Sequence, residues 1–280
     1  MEKLCDLHAH STASDGSLTP TQLVQLAVET GLGAVVLCDH NTAGGLPEFI
    51  EAAKGQPLEA VPGVEFTTEF EGTELHILAL YVEPKDYPAI NALLGDFKRR
   101  KAESNRLLAV ALAEAGYKID YETIHQKHSY VNRAHIGQAL MEAGYVGSVA
   151  EAFKTLLQPE HGYYVPPKRL DAYETIRFIK SMGAVAVLAH PLLNLDEAGL
   201  RRFLPRAREC GLDGMETMYA KYKPEETALA KALAGEFGLL ESGGSDFHGE
   251  TKPDIRLGSG RGDLAIPLIF LEQLKLRKYS

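Results

Sequence analysis

The sequence has few cysteines, and their placement excludes two common uses of that residue. Cys5, Cys38 and Cys210 form no Cys-x-x-Cys pair and no disulfide framework. Cys5 and Cys38 lie inside apolar runs, where a cysteine serves as a small buried residue rather than as a metal ligand. This usage fits a reducing compartment, so we predict a cytoplasmic protein.

Long apolar runs are also absent. Glu2, Lys3 and Asp6 interrupt the first residues, so we expect no signal peptide there. No segment approaches the ~20 apolar residues of a membrane span, and we predict no membrane partner. The net charge of −9 argues against broad binding to membranes or to an extended nucleic-acid duplex. A small anionic substrate stays compatible, because bound divalent metals reverse the potential locally.

Several catalytic signatures are missing as well. The sequence has no Walker-type loop, no Gly-x-Gly-x-x-Gly fingerprint and no nucleophile-elbow context for a serine, cysteine or aspartate. Gly243-Gly244-Ser245 resembles a nucleophile turn only superficially, and we interpret it as a small-residue turn that positions Asp246. Internal repeats and low-complexity segments are absent too.

Seven short apolar segments predict β-strands. They are Leu4–Leu7, Ala34–Cys38, Glu59–Glu65, Leu75–Val82, Ala184–Ala189, Gly214–Met218 and Leu239–Ser242. Most are separated by helical patterns; in the first, Thr19 offers an N-cap, Pro20 the first helical position and Gly31 the end. This alternation predicts an α/β fold with a largely parallel sheet. Seven such units favour a closed or distorted (β/α)7 TIM-like barrel over an open sheet.

The alternation stops between about Pro88 and Pro167. Three Ala/Leu-rich segments there, Lys101–Ala115, His135–Ala143 and Val149–Leu157, predict helices punctuated by glycines. We therefore predict a barrel built from residues 1–87 and 168–280. Residues 88–167 are expected to form a helical insertion that lies over one end of it.

Histidines and acidic residues follow the ends of several predicted strands. They are His8, His10, His40, Glu65, His190, Asp246 and His248. Residues two apart on a strand point to the same face, so His8 and His10 could bind one ion together, and so could Asp246 and His248. In parallel α/β barrels the working end is the C-terminal edge of the strands. The pattern predicts a site that holds more than one metal ion.

Three other residues depend on that context. His76 lies inside the run Leu75-His76-Ile77-Leu78, where a lone histidine is normally a core residue, but its neighbours favour a metal ligand. Asp15 would otherwise be a turn carboxylate. Asp39 is adjacent to His40 and points the opposite way on a strand. We expect Asp39 to orient a histidine or to handle a proton.

These motifs resemble those of the PHP family, the polymerase and histidinol phosphatase phosphoesterases. The matching residues are His8-x-His10 with Asp15, Asp39-His40 with Glu65, His190-Pro191, Asp246-x-His248, and His76 as the additional histidine. The resemblance covers nearly the whole chain. It implies a distorted seven-stranded barrel and a trinuclear site, usually of manganese, iron or zinc.

The resemblance also implies a division of the ligands among three divalent ions. His8, His10, Glu65 and Asp246 would hold one ion; Glu65 would bridge to a second held by His76 and His190; Asp15, His40 and His248 would hold the third. Many family members have histidine where Asp15 stands, and the carboxylate resembles the nucleotide-directed subgroup. It also favours manganese or magnesium over zinc, and manganese is our prediction, with iron and zinc as alternatives.

Several divalent ions close together can deprotonate a bridging water and neutralise a phosphoryl group under in-line attack. We therefore predict a hydrolase that cleaves a phosphate ester with an activated water molecule. The leaving oxygen needs a proton, and the sequence leaves its donor open between Asp39 and His135.

Substrate contacts are predicted in the insertion. Asn132-Arg133-Ala134-His135 opens a helix, so backbone N–H groups, guanidinium and imidazole could converge on an anion. Similar proteins acting on nucleoside 3′,5′-bisphosphates carry an Arg-x-His here, although Asn132 and Ala134 depart from their usual Gly-Arg-Pro-His. Arg100 and Asn105 on an upstream helix are further candidates for substrate contacts. For them, as for the Arg133 segment, a solvated surface is the alternative.

The sequence thus predicts an enzyme that removes phosphate from a small phosphorylated substrate. Our first choice is the 3′-phosphate of a nucleoside 3′,5′-bisphosphate, and short RNA or DNA 5′ ends are a further option. Histidinol phosphate or another monoester, a cyclic phosphate and a non-catalytic metal-binding accessory module stay open as alternatives. The oligomeric state and the pathway are left undetermined.

Overall fold

Short aliphatic runs form the strands of one mixed sheet in a computed structural model that describes residues 3–127 and 131–278. The strands are β1 (Leu4–Ala9), β2 (Ala34–Leu37), β3 (Glu59–Phe70), β4 (Thr73–Leu80), β5 (Leu170–Asp171), β6 (Val185–Ala189), β7 (Gly214–Tyr219), β8 (Leu240–Gly244) and β9 (Ile266–Pro267). Their order in the sheet is β8-β7-β6-β4-β3-β2-β1-β9, with β5 paired to β3. The seven predicted strands are confirmed as β1 to β4 and β6 to β8.

Helices connect most of these strands. They are α1 (Pro20–Glu29), α2 (Leu46–Ala52), α3 (Tyr87–Glu114), α4 (Tyr121–Lys127), α5 (Arg133–Glu142), α6 (Val149–Thr155), α7 (Ala172–Ser181), α8 (Glu197–Glu209), α9 (Pro224–Glu236) and α10 (Ile269–Lys275). The predicted start of α1 is confirmed: the Thr19 side chain accepts a hydrogen bond from the Gln22 N–H, and Pro20 is the first helical residue. Within the described residues, no helix has the length and apolar character needed to cross a membrane.

The sheet is parallel except at β9 and at β4, which runs antiparallel to both neighbours. The cause is local: β3 and β4 are joined by Glu71 and Gly72, and both have positive φ, as a type I′ hairpin turn requires. A connection this short cannot carry a parallel crossover. The prediction that Glu65 ends its strand is therefore wrong, because β3 continues to Phe70.

Strand β1 and the segment that follows β8 meet at a seam that closes the sheet. The Asp246 N–H donates to the His8 carbonyl, and the His10 N–H donates to the Phe247 carbonyl, both at 2.9 Å. Ala9 forms a parallel bridge with Phe247. The fold is thus an α/β, distorted (β/α)7 TIM-like barrel with a helical insertion in its sequence.

Aliphatic side chains from the strands form the core of the barrel. Cys5 and Cys38 are among them, fully buried as predicted, and all three cysteines are free. Burying these apolar side chains removes them from water, which is the main favourable contribution to folding. The barrel is thereby a rigid support for the polar side chains at its edge.

Residues 92–169 form a second compact unit, while residues 1–91 and 170–280 form the barrel unit. The boundary falls within α3, four residues inside the predicted start of the insertion at residue 88. The second unit has its own apolar core, which includes Leu108, Leu112, Ile136 and Leu140. Asn132 caps α5, so the predicted helix start at that position is confirmed.

Candidate metal centre

The nine predicted metal ligands come together at one edge of the barrel. His8 lies on β1 and His10 directly after it, Glu65 on β3 and His76 on β4, while the remaining ligands follow strands: Asp15, His40, His190, Asp246 and His248. His76 reaches this edge because β4 is antiparallel and pairs its residue 76 with Thr67 and Ala189. The antiparallel strand therefore contributes from its first half rather than from its C-terminal end.

Glu65 lies at the centre of the cluster and is fully buried. Its Oε2 is 3.2 Å from Nε2 of both His8 and His10. Its Oε1 is 2.7 Å from His76 Nδ1 and 3.2 Å from His190 Nε2. One carboxylate thus separates two groups of imidazoles, as a bridging ligand would.

The two carboxylate oxygens of Asp246 have different partners: Oδ1 faces the imidazoles, and Oδ2 accepts two hydrogen bonds. Its Oδ1 is 3.3 Å from His10 Nε2. The Tyr219 hydroxyl and the Lys252 ammonium each donate to its Oδ2 at 2.8 Å. This arrangement directs Oδ1 into the cluster.

Asp15 forms the solvent side of the site. Its side chain is 51% exposed, and its Oδ1 lies 3.3 Å from Nε2 of the buried His248. Its Oδ2 is 3.8 Å from His40 Nε2. The cluster is therefore open to solvent at Asp15 and His40 and closed at Glu65.

Backbone strain concentrates at the site. Positive φ angles occur at Asn41, directly after a predicted ligand, and at His190 and Asp246 themselves. Such conformations are costly for residues other than glycine and persist only where the surroundings enforce them. At Asn41 the side chain does so, because its amide donates to the Thr67 hydroxyl and its carbonyl accepts the Thr67 N–H.

Charges in the cluster shift several pKa values strongly. Burial works to raise the pKa of Glu65, but the surrounding imidazoles, His8 foremost, hold it well below its usual value. Burial works to lower the pKa of His76, but Glu65 and Glu74 raise it to about 9. Burial lowers the pKa of His40 to about 4, so this imidazole is neutral at pH 7. Without a metal, the cluster balances its carboxylates with protonated imidazoles.

The donor set fits divalent metal ions. Four sets of side chains place ligand atoms within 4.8 Å of one another: His10, Asp15, His40 and His248; His8, His10 and Asp246; His8, Glu65 and His190; His40, Glu65 and His76. Among the described residues, buried Glu65 Oε2 has ion-pair contacts with imidazoles but no hydrogen bond of normal geometry, and His10 Nδ1 has no hydrogen-bond partner. Buried carboxylate and imidazole atoms in this condition are costly unless paired or bound to a metal. The sets pair His190 with His8 and His76 with His40, whereas the resemblance groups His76 with His190.

Asp39 holds a loop. Its Oδ1 accepts hydrogen bonds from the Ser11 N–H at 2.8 Å and the Ser14 hydroxyl at 2.6 Å, and its Oδ2 accepts one from the Ser11 hydroxyl at 2.6 Å. Both serines lie in the segment that leads to Asp15. The contacts favour a positioning role for Asp39, while proton handling stays a prediction.

The predicted substrate residues have contacts within the second unit. Arg133 Nη1 donates to the Leu157 carbonyl and to Gln158 Oε1. His135 Nδ1 accepts the Asn132 N–H within a capping box. Their roles, like that of His135 as proton donor, stay predictions.

The two upstream candidates also bond within that unit. Arg100 Nη1 donates to the Lys168 carbonyl, and its Nε lies 3.1 Å from Asp96 Oδ2. Asn105 is buried, and its amide donates to the Val131 carbonyl. Asn105 therefore serves packing in this structure, and its substrate contact is untested.

Three residues at the site were missed by the sequence reasoning. Glu216 contacts His8 and the backbone of His190. Asp6 is buried and accepts hydrogen bonds from Ser245 and from the Gly258 N–H, and Lys252 contacts Asp246. Two sequence signals could have indicated them. Glu216 is a charged residue inside an apolar strand run, and Asp6 lies two residues before His8, on the same face of the strand.

Comparison with known proteins identifies the family. The PHP domain model matches residues 6–167, more than half of the chain. The chain belongs to the PHP domain family. The PHP resemblance predicted from the motifs is thereby confirmed, and with it the assignment to metal-dependent phosphoesterases, hydrolases that act on phosphoric esters.

Relatives of this PHP protein have several activities. It is 35% identical over 250 residues to a 5′-3′ exoribonuclease of Haemophilus influenzae, covering 89% of this chain and 91% of that protein. A phosphoribosyl 1,2-cyclic phosphate 1,2-diphosphodiesterase of Eggerthella lenta is 33% identical over 254 residues, covering 88% and 94%. A 3′,5′-nucleoside bisphosphate phosphatase of Chromobacterium violaceum is 28% identical over 256 residues, covering 89% and 90%.

A solved structure supports the fold. A protein from Bifidobacterium adolescentis, described as a metal-dependent phosphoesterase, superposes on this PHP protein with a TM-score of 0.72 and 26% identity. The match covers 99% of this chain and 97% of the other. The likeness in fold therefore extends over nearly the whole of both chains.

Proposed function

We propose that this PHP protein removes the 3′-phosphate from small nucleotides that carry a 5′-phosphate, such as nucleoside 3′,5′-bisphosphates. The observation that carries the proposal is the cluster of six histidines and three carboxylates, buried at Glu65 and open at Asp15. The named bisphosphate phosphatase relative supports the substrate class. The free, buried cysteines fit the cytoplasmic location that we predict from the sequence.

The nine predicted ligands would hold three divalent ions, for which we choose manganese because Asp15 supplies a carboxylate. When bound, such ions lower the pKa of a water molecule and offset the negative charge of a phosphoryl group. The protein itself fixes the ligands: Asp6 and Asp39 anchor the segments that carry Asp246 and Asp15. The exposed Asp15 side leaves room for a substrate to approach.

Lys252 would contact the phosphoryl group. Among the described residues it is the one lysine or arginine within 4.0 Å of a carboxylate of the cluster, and its side chain is partly exposed. A hydrogen bond to a charged group contributes about 1.5–3 kcal/mol, and ~1.4 kcal/mol is tenfold in binding. Lys252→Met should therefore raise KM at least about tenfold even with the metal sites saturated by excess manganese, whereas the exposed-surface control Lys221→Met should leave KM unchanged. Unchanged KM in Lys252→Met would remove this assignment.

A second candidate is supported by the exoribonuclease relative. Hydrolysis of a 3′-phosphate and release of a 5′-terminal nucleotide from RNA break the same bond, between phosphorus and the 3′-oxygen. Water supplies the new oxygen on phosphorus, and the 3′-oxygen takes a proton. One site that holds a 5′-phosphorylated nucleoside could therefore act on short RNA ends as well, although the net charge of −9 opposes long duplexes.

The experiment follows hydrolysis of 3′-phosphoadenosine 5′-phosphate with manganese supplied, and every product is identified by chromatography. A 5′-phosphorylated short RNA, the same RNA with a 5′-hydroxyl, histidinol phosphate and a cyclic phosphodiester run alongside. Glu65→Gln should abolish turnover, whereas Glu69→Gln on the same strand should not, which excludes a contaminating phosphatase. Turnover of only histidinol phosphate or the cyclic diester would refute the nucleotide assignment.

Arg133→Ala tests the predicted substrate contact in the second unit. If Arg133 binds the 5′-phosphate, the variant should lose preference for 5′-phosphorylated over 5′-hydroxyl RNA. The matched control is Arg99→Ala, which removes an exposed arginine that pairs with Asp96 one helical turn away. Equal loss in both variants would refute a specific role for Arg133.

A further inference from the structure

Glu216 is a fully buried acid on β7 that touches two predicted ligands. Its Oε1 lies 3.0 Å from His8 Nδ1. Its Oε2 accepts a 2.6 Å hydrogen bond from the backbone N–H of His190. The sequence patterns and the family motifs that define the nine ligands give Glu216 no role.

Both of these histidines turn another atom toward Glu65. His8 Nε2 lies 3.2 Å from Glu65 Oε2, and His190 Nε2 lies 3.2 Å from Glu65 Oε1. The two rings stack with centroids 5.6 Å apart. His8, Glu65 and His190 form one of the sets whose ligand atoms lie within 4.8 Å of one another. Glu216 thus contacts both histidines of that set through atoms other than their ligand nitrogens.

We propose that Glu216 is a positioning residue that fixes the His8 tautomer and the His190 backbone, and so builds the His8–Glu65–His190 set for a divalent ion. The inference rests on the proposed function only through its metal dependence. A carboxylate that accepts the Nδ1 proton leaves the Nε2 lone pair directed at the site. His190 has a φ of +28°, and its N–H bond to Glu216 helps to hold that strained conformation.

The geometry requires a glutamate rather than a glutamine. Glu216 accepts on both oxygens, and an amide offers one acceptor and one donor group. An amide NH₂ facing His8 would donate to Nδ1 and move the ring proton to Nε2, which removes the ligand lone pair. The opposite orientation would place the NH₂ against the His190 N–H, two donors together. Glu216→Gln therefore disturbs one histidine in either orientation.

The experiment compares Glu216→Gln with Glu241→Gln in manganese binding, measured by titration calorimetry and elemental analysis without substrate. Glu241 lies on the neighbouring strand β8 and pairs with Thr217 and Lys231, away from the nine ligands. Loss of an outer hydrogen-bond partner typically costs 10–100-fold in metal affinity, so Glu216→Gln should weaken at least one ion tenfold or more. Excess manganese should restore the occupancy. Affinity equal to that of wild type and of Glu241→Gln would overturn the proposal.

A measurement on the wild type covers the case in which Glu216→Gln does not fold. Nitrogen-15 NMR of histidine-labelled, zinc-loaded protein reports which ring nitrogen of His8 carries the proton. The proposal expects a proton on Nδ1 and zinc on Nε2; a proton on Nε2 would overturn it. Neither readout uses a phosphate ester, so failure of the substrate assignment would leave both unaffected.

Discussion

Asp39 allows a direct test between proton transfer and loop positioning. Asp39→Ala removes the acceptor of two fully buried hydrogen bonds from Ser11 and a third from the partly exposed Ser14. Hydrogen bonds to a charged group contribute about 1.5–3 kcal/mol each. The two buried bonds therefore give an expected loss of about 3–6 kcal/mol in the free energy of unfolding, or roughly 10 °C in Tm.

Asp39→Asn separates the two roles because it keeps the shape and all three contacts. The amide oxygen can accept from the Ser11 N–H and the Ser14 hydroxyl, while the amide NH₂ can donate to the Ser11 hydroxyl oxygen. We expect a stability loss below about 1.5 kcal/mol and a kcat within roughly tenfold of wild type. A group that transfers a proton typically contributes ~10²–10⁴-fold to the rate.

The assay combines urea unfolding of the metal-free protein, metal content and kcat on the best phosphate ester. Ser14→Ala serves as the control, because it leaves both buried Ser11 bonds in place. It removes the partly exposed bond to Asp39 and a 3.2 Å contact with Asp15 Oδ1, and it should cost less than about 1 kcal/mol. If Asp39→Asn loses more than a hundredfold in kcat with normal stability and metal content, the positioning argument is refuted. Proton handling by Asp39 would then be the better interpretation.

Three further predictions concern the metal, the seam and a thiol. Because the pKa of His76 is raised to about 9, metal binding below that pH must displace its proton. Metal affinity should therefore rise with pH up to about 9, and the binding enthalpy should depend on the buffer. A binding enthalpy that does not depend on the buffer would contradict this. A Cβ on Gly244 would clash with the Cβ of His8. Gly244→Ala should therefore lower the free energy of unfolding in urea by more than about 3 kcal/mol and reduce the metal content. The control Gly235→Ala, whose added Cβ meets open space, should not destabilise the protein. Burial raises the pKa of the Cys38 thiol, so iodoacetamide at pH 8 should modify it only after unfolding; rapid modification of the native protein would refute its burial.

Much of the fold could be predicted because its signals are local. The Thr19 cap, the apolar strand runs and the Asn132 cap each act within a few residues, and all three are confirmed. The hairpin at Glu71 and Gly72 was missed, although a glycine-containing pair between two apolar runs is a hairpin signal. The short helices α4 and α10 have seven residues each, too few for a clear periodic pattern.

The candidate site was predictable where its residues follow strand ends, and unpredictable where partners are distant in sequence. Glu216 and His8 are in contact although they are 208 positions apart in the sequence, and no local sequence pattern predicts that contact. The stacking of Arg133 on Tyr164, 4.4 Å from guanidinium carbon to ring centroid, likewise depends on tertiary packing. Residue type and spacing identify a ligand set, whereas the residues that orient it require the folded chain.

The seam between β1 and the segment after β8 also has a consequence for biosynthesis. Asp6 and Ser245 form a hydrogen bond across the seam and are 239 positions apart in the sequence. The barrel can therefore close only after most of the chain has been synthesised. Contacts this distant slow folding, because a long loop must be ordered before they form. A nascent chain on the ribosome therefore has His8 and His10 but not Asp246, and cannot assemble the complete set of ligands. All nine ligands are therefore present together only after the segment that follows β8 has been synthesised.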